Sequence, residues 1–217
     1  NYGGPGSQLV MNRWGAGSHT LHQFFASRDF IIFSFDNRGT GGRGKAFKDL
    51  AYGDYGKYLV KDHISAAKYL QGLTYVDADN IGIWGWSGGG YLTNMCMTLA
   101  SDYYKAGISI APNVEPLLYD TIWTERYMGL IEENPEGYKK ASLLNYVDNL
   151  DGKLLLIHGT NDDVVVMQHN LAYVQECVNK GIQLDFFPYP MHHHNVRGKD
   201  RVHLMQKVLD YVIEYNK

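Results

Sequence analysis

The sequence predicts an α/β fold built on a mostly parallel sheet, and three observations carry that prediction. Continuous apolar runs of strand length occur at residues 30–35, 80–84, 106–111, 153–157 and 182–189, the pattern of strands buried on both faces. Segments with helical spacing separate several of these runs. A serine lies between glycines in Gly85-Trp86-Ser87-Gly88-Gly89-Gly90-Tyr91, where a strand should give way to a helix.

Along the chain, residues 18–27 read as a short helix with Leu21, Phe24 and Phe25 on one face. The strand at 30–35 follows, and residues 36–57, rich in glycine and charge, read as loop. Between 58 and 73, Leu59, Val60, Ile64, Ala67 and Leu70 recur at helical spacing. The strand at 80–84 leads into the serine turn and a helix to about Leu99. After the strand at 106–111, residues 112–148 form the longest irregular stretch. The strand at 153–157, a helix at 166–180, the strand at 182–189 and an amphipathic helix at 200–215 complete the chain. Right-handed crossovers place the C-terminal ends of parallel strands along one edge, where open α/β sheets bind ligands. The serine turn and the loops after Ile157 and Phe187 should all emerge there.

With 217 residues the chain can bury one substantial core. Hydrophobic residues make up 45% and charged residues 20%, ordinary for a globular protein. The formal net charge of −3 and the lack of a basic tract argue against nucleic-acid binding. No apolar stretch approaches the roughly 20 residues that span a bilayer. The two cysteines, Cys96 and Cys177, fall in helical segments and indicate buried thiols rather than a disulfide framework. The opening Asn1-Tyr2-Gly3-Gly4-Pro5-Gly6 starts within a turn, which suggests a piece of a longer protein.

A serine hydroxyl is a weak nucleophile near neutral pH and needs an adjacent base, itself oriented by a carboxylate. A nucleophile elbow requires glycine neighbours because strand and helix crowd the turn. In α/β hydrolases the chain order is Ser, Asp, His. After Ser87 the next strand-end carboxylates are Asp162 and Asp163, and the next loop histidines are His192, His193 and His194. Of the nine histidines, His19, His22, His63 and His158 precede the acid, while His169 and His203 sit on helices. Three consecutive histidines invite a metal reading. Their side chains diverge in a loop, however, and no cysteine or H-x-x-x-H partner accompanies them, so neither metal nor cofactor is expected.

These motifs resemble the catalytic domain of the prolyl oligopeptidase family. The matching segments are Tyr2-Gly3-Gly4-Pro5, Asp36-Asn37-Arg38-Gly39, Gly85-Trp86-Ser87, Thr124-Glu125-Arg126-Tyr127-Met128-Gly129 and His158-Gly159-Thr160-x-Asp162. The match is nearest to the dipeptidyl peptidase IV branch. Glu133-Asn134-Pro135-Glu136-Gly137-Tyr138, His192-x-His194-Asn195-Val196 and Asp200-Arg201-Val202-His203-Leu204 also resemble bacterial prolyl tripeptidyl peptidases.

The resemblance implies one N-terminally truncated α/β-hydrolase domain over residues 1–217, separated from a β-propeller. It implies a serine exopeptidase releasing di- or tripeptides after proline or alanine. Ser87 would be the nucleophile, Asp162 the acid (through Gly159-x-x-Asp162-x-x-Val165) and His194 the base, chosen because Asn195 follows it, with His192 as the alternative. Tyr2 and the Gly88 N–H would form the oxyanion hole, each donor contributing about 3–4 kcal/mol. Tyr119, Trp123, Val165 and Tyr91 would line a pocket for proline or alanine. A peptide with proline at its second or third position would be the partner, a homodimer through the helix at 200–215 is possible, and a periplasmic or extracellular location is implied.

The chain departs from the family at several points. Gly88 stands where a tyrosine is usual, Trp123 replaces a tyrosine, Pro116 an aromatic and Val164 an asparagine. The strand that leads into Tyr2 in the family is missing, so a gap is expected beside residues 30–35. Competing readings are an acylaminoacyl peptidase or esterase on the same scaffold, and a catalytically silent binding or dimerisation module.

Overall fold

A computed structural model describes residues 1–14 and 19–216. Its elements in chain order are α1 (His19–Ala26), α2 (Lys45–Lys48), α3 (Lys57–Gln71), β1 (Gly82–Trp86), α4 (Gly88–Leu99), β2 (Ala106–Ile110), α5 (Thr121–Met128), α6 (Pro135–Ala141), β3 (Lys153–Gly159), α7 (Gln168–Lys180), β4 (Asp185–Tyr189) and α8 (Lys199–Tyr215). The expected start of the first helix at Ser18 lies outside the described residues.

Among the described residues the sheet has four strands in the order β1-β2-β3-β4, every pair parallel. Strand side chains alternate between two cores. Leu154 and Leu156 of β3 join a cluster with α3, α4 and α7, while Leu155 and Ile157 join Ile108 and Ile110 of β2 against α8 and Phe25 of α1. On the α4 side β2 carries small residues: Gly107 lies against Met97 and Thr93, and Ser109 Oγ donates to Gly90 O at 2.9 Å. Small side chains there let helix and sheet approach closely. The apolar face of α8 (Leu204, Val208, Leu209, Val212) is spent on the sheet. Cys96 and Cys177 are free and buried, and burial pushes the Cys177 thiol up to about 11.

Residues 30–35 do not form a strand. They carry no regular secondary structure and stay outside the sheet, and a slot of about 1100 Å³ lies between them and β1. Phe30, Ile32 and Phe35 line one wall, Ile81, Ile83 and Trp84 the other. The apolar composition is right for a buried strand, but a strand exists only where a neighbour takes up its hydrogen bonds. The slot lies where the gap beside residues 30–35 is expected.

Two irregular segments contain more helix than their composition suggests. Residues 36–57 include α2 and a 3₁₀ turn at Asp49–Ala51. Residues 112–148 include α5 and α6, each started by a side-chain cap: Asp120 accepts from Trp123 N, and Asn134, followed by Pro135, accepts from Gly137 N. Strand boundaries also shift, β1 two residues later than expected and β4 beginning at Asp185 rather than Ile182.

Leu156 is fully buried in the middle of β3. Leu156→Ala should lower the unfolding free energy by about 2–5 kcal/mol through lost burial and a residual cavity, read from the domain's thermal or urea transition.

Candidate active site

The register brings the strand ends to one level: Trp86 faces Ile110, Ile110 faces Ile157, and Gly159 faces Tyr189. The ladder continues one residue past the strands, with Ser87 N donating to Ile110 O and Ala111 N to Ile157 O, both at 2.8 Å. Ser87 is therefore fixed at the lip of the sheet. Its φ of 59° and ψ of −120° are strained for a non-glycine residue, costing on the order of 1–3 kcal/mol. Two glycines permit the turn. A Cβ at Gly85 would collide with the backbone of Gly89, and one at Gly89 with the carbonyl of Asn1.

Gly88 is the first residue of α4, so its N–H has no partner within the helix. The ring of Tyr2 lies beside it, 3.6 Å from where a Cβ on Gly88 would stand. Asn1 N donates to Trp84 O at 2.7 Å, and buried Asn37 donates Nδ2 to Gly3 O at 2.8 Å. These bonds hold Tyr2 from both sides. Arg38, next to Asn37, is held by Asp62 at 2.5 Å.

Asp162 lies in the turn after β3, its side chain buried. Oδ1 accepts from Val164 N and Val165 N, each at 2.9 Å. Oδ2 lies 2.8 Å from His194 Nδ1 and 3.3 Å from His158 Nε2. Burial alone would raise the carboxyl pKa. The hydrogen bonds from His158, His194, Val165 N and Val164 N outweigh it and hold the group well below the ordinary aspartate value. With Nδ1 on Asp162, His194 has Nε2 free to exchange a proton. Its carbonyl accepts from Trp86 Nε1 at 2.9 Å, which pins the histidine loop to the residue preceding Ser87. Among the described residues Ser87 Oγ makes no hydrogen bond, and such contacts often tighten only with substrate in place.

The neighbouring candidates are engaged elsewhere. His192 Nε2 lies 2.7 Å from Asp200, and His193 Nδ1 lies 3.2 Å from exposed Asp163. Among the described residues no cluster of three or more His, Cys, Asp or Glu is arranged to hold a metal ion.

The aromatic residues form a chain. The Tyr119 and Trp123 rings meet edge to face at 5.4 Å, and Trp123 touches Tyr127 at 5.0 Å and Tyr55 at 5.5 Å. The Tyr119 hydroxyl pKa is raised by burial, then by the charges of Asp120, Tyr2 and Asp162. Tyr119 and Trp123 are partly exposed. Tyr91 and Val165 are not: Tyr91 donates its hydroxyl to Ala141 O at 3.0 Å, and Val165 presents no surface. Reading the sequence by chain order passed over His158, which is buried against Asp162, and Asn37, which braces Tyr2. The signal for His158 was its place one residue before Gly159-x-x-Asp162.

The profile described as "Prolyl oligopeptidase family" matches residues 18–217. Dipeptidyl aminopeptidase B of Saccharomyces cerevisiae is 36% identical over 217 residues, covering 97% of this chain and 26% of the yeast protein. The structure of Porphyromonas gingivalis dipeptidyl peptidase 4 superposes with a TM-score of 0.93 at 35% identity, covering 99% of this chain and 30% of that one. Dipeptidyl peptidase 4 of Trichophyton equinum is 36% identical over 189 residues, 85% of this chain and 24% of the fungal protein. The chain thus spans about a quarter of the length of the curated relatives it matches.

Because the Asp162 pKa is depressed in the fold, its stabilisation is present above the ordinary value of 3.8 and is lost as pH falls below it. Asp162→Asn should therefore be less stable than wild type at pH 7, and the gap should narrow below about pH 4 when thermal transitions are compared across pH.

Proposed function

Because the chain belongs to the prolyl oligopeptidase family, with its α/β-hydrolase fold, we propose that it is the catalytic domain of a serine exopeptidase releasing N-terminal di- or tripeptides after proline or alanine. The observation that carries this reading is the 2.8 Å contact of His194 Nδ1 with buried Asp162, on a loop tied to the residue preceding strained Ser87.

Ser87 Oγ attacks the scissile carbonyl carbon while His194 Nε2 takes its proton. Asp162 stays ionised, fixes the tautomer and stabilises the imidazolium. The carbonyl oxygen, now an oxyanion, receives the Gly88 N–H and the Tyr2 hydroxyl. As the tetrahedral species collapses, the C–N bond breaks and His194 returns the proton to the leaving amine. Water, deprotonated by His194, then attacks the acyl-enzyme; the ester bond breaks, Ser87 is regenerated and the short peptide leaves as its carboxylate.

The pocket is proposed from Tyr119 and Trp123, whose edge-to-face rings offer flat apolar surface to a pyrrolidine. Val165 and Tyr91 support it from behind: Val165 through the acid's turn, Tyr91 by packing on Tyr55, which in turn contacts Trp123. Gly88 brings no side chain, so the pocket is open on the Tyr2 side.

In the native protein that carries this chain, Ser87→Ala should abolish labelling by a fluorophosphonate probe. It should also reduce kcat on an Xaa-Pro chromogenic substrate by about four or more orders of magnitude. Wild-type turnover in that variant would overturn the assignment. Trp123→Ala should lower kcat/KM for a proline substrate by about tenfold or more, the scale of losing one buried apolar contact, with Ser87 labelling retained.

A further inference from the structure

His158 is the last residue but one of β3 and is wholly buried. Its Nε2 is 2.7 Å from Val165 O and 3.3 Å from Asp162 Oδ2. A carbonyl can only accept, so Nε2 carries the proton and shares it between the two oxygens. Nδ1 is buried with no hydrogen-bond partner among the described residues. A buried ring that satisfies only one nitrogen is expensive for packing alone, since an apolar side chain would fill the space without the unmet acceptor. The shorter of its two contacts, to Val165 O, spans the acid's turn from its base at residue 158 to its close at residue 165.

The consequence falls on Asp162. Its two oxygens have four donors: two backbone N–H groups on Oδ1, and the His194 and His158 rings on Oδ2. The backbone pair fixes Oδ1, while Oδ2 is met from the β3 side by His158, among the described residues. The histidine loop is tied separately, through Asn161 N to His192 O at 3.0 Å and Met191 N to Thr160 Oγ1 at 2.8 Å.

We propose that His158 is a positioning residue: its shared Nε2–H orients Asp162 Oδ2 and draws charge from it, and so sets the orientation and basicity of His194. The proposal rests on the assignment of Ser87, Asp162 and His194 made above. The other titratable groups around the pair are Tyr119, His169 on α7, the exposed His193–Asp163 and His192–Asp200 pairs, and Arg201 of α8, which lies over Trp86. His169 is held neutral near pH 7, its pKa lowered to about 4, chiefly by burial. It therefore adds no charge to the site near pH 7.

The test compares His158→Leu, His158→Gln and His158→Asn in the native protein, with kcat, KM and the pH profile of kcat/KM measured for each. Without the shared N–H, Asp162 stabilises the His194 imidazolium more strongly but holds it less well. His158→Leu should lower kcat about 10–100-fold with KM within about twofold, and shift the acidic limb upward by about half a pH unit. Gln places an amide N–H near the Nε2 position and should recover most of the kcat and the wild-type limb; Asn, which is too short to reach Val165 O, should not. An unmoved limb in His158→Leu, or an unchanged kcat, would overturn the proposal. If the leucine variant does not fold, the Gln and Asn variants decide, and equal behaviour of those two would refute it. Ser87→Ala and His194→Gln run alongside separate the two readings: if they are inactive while His158 variants behave as wild type, only this inference fails, whereas if they remain active the underlying assignment fails.

Discussion

The parallel register of β1 to β4 is the constraint on which everything at the site depends. Ser87, Asp162 and His194 lie far apart in the chain, and no local interaction could gather them. Each sits within a few residues of the C-terminal end of a strand, and the ladder brings those ends level. A one-residue slip between β2 and β3 would turn Leu155 and Ile157 toward α4 and send Leu154 and Leu156 to the opposite core, so the register is protected by most of the buried apolar area in the sheet. The geometry of the proposed triad is thus held by hydrophobic packing away from the triad itself.

Order within the site runs from rigid to adaptable. Asp162 is the most constrained group, with four donors on two oxygens and a pKa pushed down by them. His194 has its carbonyl and Nδ1 fixed and Nε2 open. Ser87 has its backbone locked in a strained turn while its hydroxyl is unengaged. Such a gradient fits the proposed acyl transfer, in which an orienting acid keeps its bonding and a nucleophile changes it completely.

The serine turn was legible because glycine spacing reports a steric requirement directly, and the order of strand-end carboxylate and loop histidine reports topology. The helices over 57–71, 168–180 and 199–215 were legible from apolar spacing, to within a few residues. Residues 30–35 were misleading because apolar composition reports burial, whereas a strand also needs a partner. In residues 112–148, α5 and α6 are too short for periodicity to register, yet Asp120 and Asn134-Pro135 were readable caps. His158 was passed over for another reason: a histidine in an apolar strand looks like core, and its place just before Gly159-x-x-Asp162 gains meaning only from its 3.3 Å distance to Asp162. Tyr91 and Val165 carry aromatic and apolar side chains of the pocket type, but their places in α4 and in the acid's turn point them inward.

The slot between residues 30–35 and β1 has a consequence of a different order. Its walls mix apolar and charged side chains, and β1 is the edge strand of the sheet on that side, with the Trp84 carbonyl already taken by Asn1 N. Strand rims in folded proteins are normally blunted by charge, proline or a covering element, since an open one templates intermolecular pairing. Here phenylalanine, isoleucine and tryptophan line the opening alongside Arg28, Asp29, Asp77 and Arg201. An opening of this kind favours pairing with an extended segment, so what occupies it bears on solubility as well as on the fold.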